Sequence, residues 1–135
     1  MALIDDIKKH EGFSPVVYQC TAGYDTIGYG QRVKYLKVTQ EQAEEWLEEE
    51  LQNLRYILAD KYNWFLPAPR EVQDIVMNMN YQLGVTSFSF FKKTIYLLAN
   101  KDYKGASEEM LDSKWARDDT PRRAKELSDR LKNVE

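Results

Sequence analysis

Glu11, Cys20 and Thr26 stand in a run reading Glu11-Gly12-Phe13, Cys20-Thr21-Ala22-Gly23 and Thr26-Ile27-Gly28-Tyr29-Gly30, with eight residues between the acid and the thiol and five between the thiol and the hydroxyl. An acid that can hold a proton, set across a cleft from groups that hold water, can break a glycosidic bond. A short apolar helix ending in the acid, a compact turn and a glycine-rich strand that carries the hydroxyl back can build this arrangement. The chemistry these residues point to is cleavage of a polysaccharide.

Each group also has an ordinary use. Leu3, Ile4 and Ile7 recur at helical spacing, which predicts a helix over residues 3 to about 11, and Glu11 falls four residues past Ile7 on the apolar stripe. A carboxylate there is disfavoured unless paired or protonated, and the helix C-terminus disfavours its ionised form further. Both effects raise the pKa towards what a general acid needs. The same acid can instead cap the helix end or pair with a surface lysine. Cys20 can be a small buried hydrophobe, although a polar turn ahead of Thr21 and Gly23 is a poor place for one. A thiol with an ordinary pKa near ~8.5 is mostly neutral at pH 7, and its small thiolate fraction is a strong nucleophile. Thr26 alone reads as a strand residue. Tyr24 and Tyr29 can line a sugar site or pack the hairpin, and His10 is expected to face solvent.

The elements that must position these groups follow from periodicity and punctuation. Four of the six glycines lie between positions 12 and 30, so that stretch is turns and short strands, with Gly12 ending the first helix. Val16, Val17 and Tyr18 predict a strand, Thr21-Ala22-Gly23 a turn, and Tyr24 to Gly30 the returning strand, with a further short strand around Val33 to Leu36. Thr39-Gln40-Glu41-Gln42 is a capping box opening a long helix, with Ala43, Trp46, Leu47, Leu51, Leu54 and Leu58 on one stripe. About 20 residues at ~1.5 Å each give a rod of roughly 30 Å, long enough to connect two lobes.

Leu66-Pro67-Ala68-Pro69 breaks the chain and Pro69 is placed to start the next helix, with Val72, Ile75, Val76, Met79 and Leu83 inward and Gly84 at its end. Phe90, Phe91, Ile95 and Leu98 predict a helix to Asn100. Asp102 caps another with Ala106, Met110 and Leu111 inward, and Thr120-Pro121 opens the last.

Composition narrows the class. A chain of 135 residues has the size of one domain with a modest core, and 43% hydrophobic and 30% charged residues fit a soluble globular protein. No segment approaches the ~20 apolar residues of a membrane span. The start, Met-Ala-Leu-Ile-Asp-Asp-Ile-Lys-Lys, places acids where a secretory signal needs an apolar run, so no signal peptide is expected. One cysteine makes no internal disulfide, and one His with one Cys cannot furnish a structural zinc site. A net charge of -3 argues against nucleic acid as partner. Residues 39–60 hold seven acids and one base, and residues 114–135 seven bases and five acids, which solvated helix faces explain.

The run Glu11-Gly12, Thr21, Gly23-Tyr24 and Thr26-Ile27-Gly28-Tyr29-Gly30 resembles the catalytic signature of the phage-type lysozymes, the endolysins of glycoside hydrolase family 24, above all their T-even branch. That pattern is Glu, eight residues, Asp or Cys, five residues, Thr, and this chain carries the Cys form. The resemblance continues through Val38-Thr39, Glu41, Ala43-Glu44, Asn78-Met79, Tyr81-Gln82-Leu83-Gly84, Phe91, Ser113-Lys114-Trp115 and Thr120-Pro121-Arg122-Arg123-Ala124-Lys125, almost the whole chain.

The resemblance implies a two-lobed α+β lysozyme-like fold in one domain: a small β-containing lobe over about 12–60, joined by the long helix to a mainly helical lobe made of about 61–135 plus the N-terminal helix 1–11. It implies hydrolysis of the β-1,4 bond between N-acetylmuramic acid and N-acetylglucosamine in peptidoglycan, without cofactor or metal. In that frame Glu11 is the general acid, with Cys20 and Thr26 opposite it. Arg32, Tyr81, Gln82 and Thr94 fall at the sugar cleft, and Arg123 pairs with the acid. Such a protein is expected to act as a monomer, made in the host cytoplasm and reaching the wall at lysis. The chain departs from the family where Cys20 replaces the more familiar Asp, where Gln31-Arg32 replaces His-Leu, and where the segment from Gly30 to Thr39 is shortened. A non-catalytic wall-binding protein on the same shell, or a lytic transglycosylase forming anhydro ends, are the alternative functions.

Overall fold

The computed structural model describes residues 2–135; Met1, within the expected N-terminal helix, lies outside the described residues. The fold is α+β: seven α-helices and a three-stranded antiparallel sheet among the described residues, in two compact units divided along the chain between Glu44 and Glu45.

In the first unit, helix α1 (Ala2–Glu11) ends where the Gly12 N–H bonds Lys8 O at 2.9 Å. Strands β1 (Ser14–Gln19), β2 (Asp25–Gly28) and β3 (Gln31–Arg32) form the sheet in the order β1-β2-β3. Tyr18 pairs with Thr26 and Gln19 with Asp25, and the register shifts between Ser14 and Tyr18. Pro15 lies in that interval; without an N–H it cannot donate to a ladder, so an irregularity belongs there.

The turn between β1 and β2 closes with Cys20 N–H on Tyr24 O at 3.0 Å and Gly23 N–H on Cys20 O at 2.8 Å. The strand expected around Val33 to Leu36 is instead a 3-10 turn, Val33–Tyr35, in which Leu36 N–H bonds Val33 O at 3.1 Å. The third strand lies earlier, at Gln31–Arg32, where the tight turn after Gly28 lets Gln31 pair with Ile27 and Arg32 with Thr26. Leu3, Ile4 and Ile7 share a face of α1 as expected, but all three are exposed.

Helix α2 (Gln40–Lys61) begins with the expected capping box, Thr39 N–H on Gln42 Oε1 at 3.0 Å and Gln42 N–H on Thr39 Oγ1 at 3.1 Å. Of its predicted stripe Leu58 is buried and Leu51 and Leu54 pack against the core, whereas Trp46 and Leu47 are exposed.

The second unit, Glu45–Glu135, holds α3 (Arg70–Leu83), α4 (Val85–Phe88), α5 (Lys92–Ala99), α6 (Tyr103–Glu109) and α7 (Pro121–Lys132). Phe65, Val72, Ile75, Val76, Met79, Phe88, Met110 and Leu131 are buried at its centre, the spacing on α3 following the predicted stripe. Pro69 stands at the N-cap of α3, one residue before the helix begins. Asp102 caps α6 as expected, its carboxylate accepting from Gly105 N–H at 2.9 Å. Phe90 sits in the turn before α5 and is exposed, so Phe91 with Ile95 and Leu98 makes the inward face. Leu111 also turns outward. No described helix is long and apolar enough to cross a membrane.

Candidate active site

Glu11 is the last residue of α1 and its side chain is exposed, not covered by the apolar stripe. Its carboxyl group lies against Gly30: a Cβ added there would stand 2.7 Å from Oε2 and 3.0 Å from Cδ. Gly30 also has φ +79, a conformation other residues rarely adopt. The signature's last glycine is thus required twice, by the backbone and by the closeness of the acid. Gln31 folds its side chain back so that Oε1 accepts from Tyr29 N–H at 2.6 Å, pinning the turn. The Phe13 and Tyr29 rings meet at 5.4 Å and Lys8 Nζ lies 5.6 Å from the Tyr29 ring centre, which ties the end of α1 to the same turn.

Thr26, on β2, is buried, and its hydroxyl donates to Tyr24 O at 2.8 Å. With its hydrogen committed, Thr26 Oγ1 keeps lone pairs for a donor such as water. Cys20 sits at the turn, part-exposed and unpaired with any other thiol. Hydrogen bonding at the Tyr24 backbone, then at Ala22, pulls its thiol pKa below the ordinary value; burial opposes this, and Arg32 adds a smaller lowering. The sulfur is therefore biased towards thiolate. Arg32 pairs with Thr26 in the sheet register and lays its guanidinium 3.9 Å from the centre of the Tyr24 ring. The first unit thus brings Glu11 onto Gly30, and Cys20 beside Thr26 and Arg32.

Tyr81, Gln82, Thr94 and Arg123 belong to the second unit. Tyr81 is exposed. The Gln82 amide is used at both ends: Nε2 donates to Thr120 Oγ1 at 3.1 Å, and Oε1 accepts from the buried Trp115 indole at 2.9 Å. Thr120 was expected to cap α7 through its side chain, but no such bond forms, and the hydroxyl serves Gln82. Thr94 is buried beneath a groove of about 400 Å³ lined also by Phe90, Phe91, Lys92, Lys93, Glu109, Asp112 and Ser113. Arg123 donates from Nε and Nη2 to Asn78 Oδ1 at 2.8 and 2.6 Å, and from Nη2 to Asn78 O at 3.2 Å. Sequence reading did not assign Asn78 or Gln31 a role; nothing in their spacing marks either as a partner. No group of three His, Cys, Asp or Glu that could hold a metal occurs among the described residues.

The acid against a bare glycine turn and the hairpin carrying a thiol and an acceptor hydroxyl stand on an α+β lysozyme-like fold. Residues 8–133 match the family described as Phage lysozyme. Over 115 residues the chain is 32% identical to the endolysin of Acyrthosiphon pisum secondary endosymbiont phage 1, an overlap covering 82% of this chain and 75% of that relative. The chain belongs to the phage lysozyme family, and its activity is that of a lysozyme, an enzyme degrading bacterial peptidoglycan.

Proposed function

We propose that this lysozyme hydrolyses the β-1,4 bond between N-acetylmuramic acid and N-acetylglucosamine, as an endolysin released on host lysis. The observation that carries the reading is the Glu11 carboxyl held against Gly30 at the edge of the hairpin that bears Cys20 and Thr26. Glu11 gives its proton to the leaving sugar oxygen as the glycosidic bond breaks. A water aligned by the free lone pairs of Thr26 adds to the sugar carbon, and its proton passes to a base, for which the Cys20 thiolate is the candidate. Arg32, Tyr81, Gln82 and Thr94 are assigned to substrate contact, and the pairing of Arg123 with the acid rests on the family resemblance. The working form is a monomer that reaches the wall from the host cytoplasm.

Clearing of outer-membrane-permeabilised cells, with mass analysis of the released sugars, tests this. Glu11→Gln keeps size and hydrogen bonding but has no proton to give, and clearing should fall at least roughly 10²-fold, the low end for general acid catalysis. A variant with more than a few per cent of normal activity would remove Glu11 from the role. Anhydro ends on the products would replace hydrolysis with transglycosylation.

A further inference from the structure

The hairpin and the turn after it carry a groove of about 530 Å³ lined by Gln19, Gly23, Tyr24, Asp25, Arg32, Val33, Lys34 and Tyr35, all within the first unit. Each of its two tyrosines faces a cation: Arg32 lies 3.9 Å from the centre of the Tyr24 ring, and Lys34 Nζ 5.8 Å from that of Tyr35. Both rings are largely exposed. None of the six ion pairs among the described residues involves Arg32, Lys34 or Asp25. The lining therefore holds two cations against one acid, and the guanidinium is fixed by the ring face with its N–H edge unspent. An aromatic surface suits the apolar face of a sugar, and a guanidinium edge fits a carboxylate with two parallel hydrogen bonds.

The geometry points to a carboxylate-reading subsite: Arg32, with Lys34 in support, binds an acidic group carried by the muramic acid branch of the strand. This deepens the peptidoglycan reading above and rests on it, because it names which chemical feature of the strand the hairpin recognises. Two sources share this chemistry, the peptide attached to the muramic acid and the lactyl acid left when that peptide is removed. A neutral polysaccharide offers neither. Gln31 pins the turn through Tyr29 N–H, while its neighbour Arg32 lines the groove.

The test measures binding separately from turnover. The Glu11→Gln protein, with and without Arg32→Gln, is titrated with three soluble strands: peptide-bearing, peptide-bearing with carboxylates converted to neutral amides, and stripped of peptide. Removing the guanidinium should weaken binding of the peptide-bearing strand roughly tenfold, the size of one charge-assisted pair at an accessible site, with Arg32→Lys intermediate. That gap should vanish on the amidated strand. A gap on the peptide-bearing strand assigns the peptide carboxylates, since the lactyl carboxyl is an amide there. A gap also present on the stripped strand shows that the freed lactyl acid fills the same subsite, and one absent there restricts the subsite to the peptide; both uphold it. Equal binding with and without Arg32, a gap undiminished on amidated strands, or no binding of any strand overturns it. Release of reducing ends by the unmodified enzyme is followed in parallel, and its absence counts against the muramidase reading alone.

Discussion

At the residue scale, the acid and its glycine form one device. Gly30→Ala adds a methyl group where the Glu11 carboxyl sits and forces alanine to φ +79. Gly84→Ala also forces alanine to a positive φ, +88, but with nothing within 4 Å. Each should lose about 1 kcal/mol of stability, as non-glycine residues do at positive φ. Only Gly30→Ala should lower kcat, by tenfold or more, which steady-state clearing at matched folded fraction measures. Equal activity in the two variants would separate the acid from its seat.

Cys20 gives a second residue-scale prediction. Its pKa is lowered, so alkylation by iodoacetamide should reach half its plateau rate at a lower pH than for a free thiol. Arg32→Gln removes a cation that favours the thiolate and should move that midpoint back up. The same sign holds for folding: stability from the lowered pKa is full above the unfolded thiol's value and fades as pH falls through the folded one. A midpoint at or above that of free cysteine would leave Thr26 as the sole water-holding group. The signature was legible because acid, thiol and hydroxyl are chemical types at fixed spacing. That the acid rests on Gly30 was not, since spacing carries no information about which backbone atom a side chain approaches.

At the scale of elements, the long amphipathic helix, the capping box, the Asp102 cap and the α3 stripe were legible because each is a local pattern with one physical cause. Helix α4 has four residues, too few for a periodicity, and passed unread. So did the π-helical turn Trp115–Asp119, defined by Thr120 N–H on Trp115 O at 2.9 Å, a backbone choice with no composition of its own. That turn explains why Thr120 does not cap α7: its hydroxyl is drawn to Gln82, which in turn holds the Trp115 indole.

Gln82→Ala would leave a buried indole N–H without a partner, at about 1–3 kcal/mol, and should lower Tm by several degrees. An unchanged Tm together with a raised KM would make Gln82 a substrate ligand alone. Arg123→Ala should likewise lower Tm, through loss of the Asn78 bonds, whereas the exposed Arg122→Ala should not. Asn78, the partner of Arg123 seen in the structure, lies far from it in sequence, so no local pattern could mark it.

At the scale of the molecule, the division of apolar burial between the two units governs how each should behave. Every fully covered hydrophobic side chain among the described residues, from Leu58 to Leu131, lies in the second unit. Among the described residues of the first unit Thr26 is the one buried residue, while Val16, Val17, Phe13 and the α1 stripe stand exposed. Burial of apolar area is the main favourable term in folding, so the hairpin has little of its own to resist opening. Phe88→Ala in the second unit should therefore cost about 3–5 kcal/mol, whereas Val17→Ala on β1 should stay within about 0.5 kcal/mol. Native-state hydrogen exchange reads the same difference without mutation. Amides of β1 and β2 should exchange through local openings well below the global unfolding free energy, and those in the middle of α3 and α7 only near it. Adding non-cleaved glycan strands to the Glu11→Gln protein should then slow exchange in β1 and β2, because a ligand that binds only the closed hairpin stabilises it by mass action. Uniform protection across both units in the free protein would show that the hairpin, with the proposed catalytic groups Cys20 and Thr26, is held as firmly as the helical core.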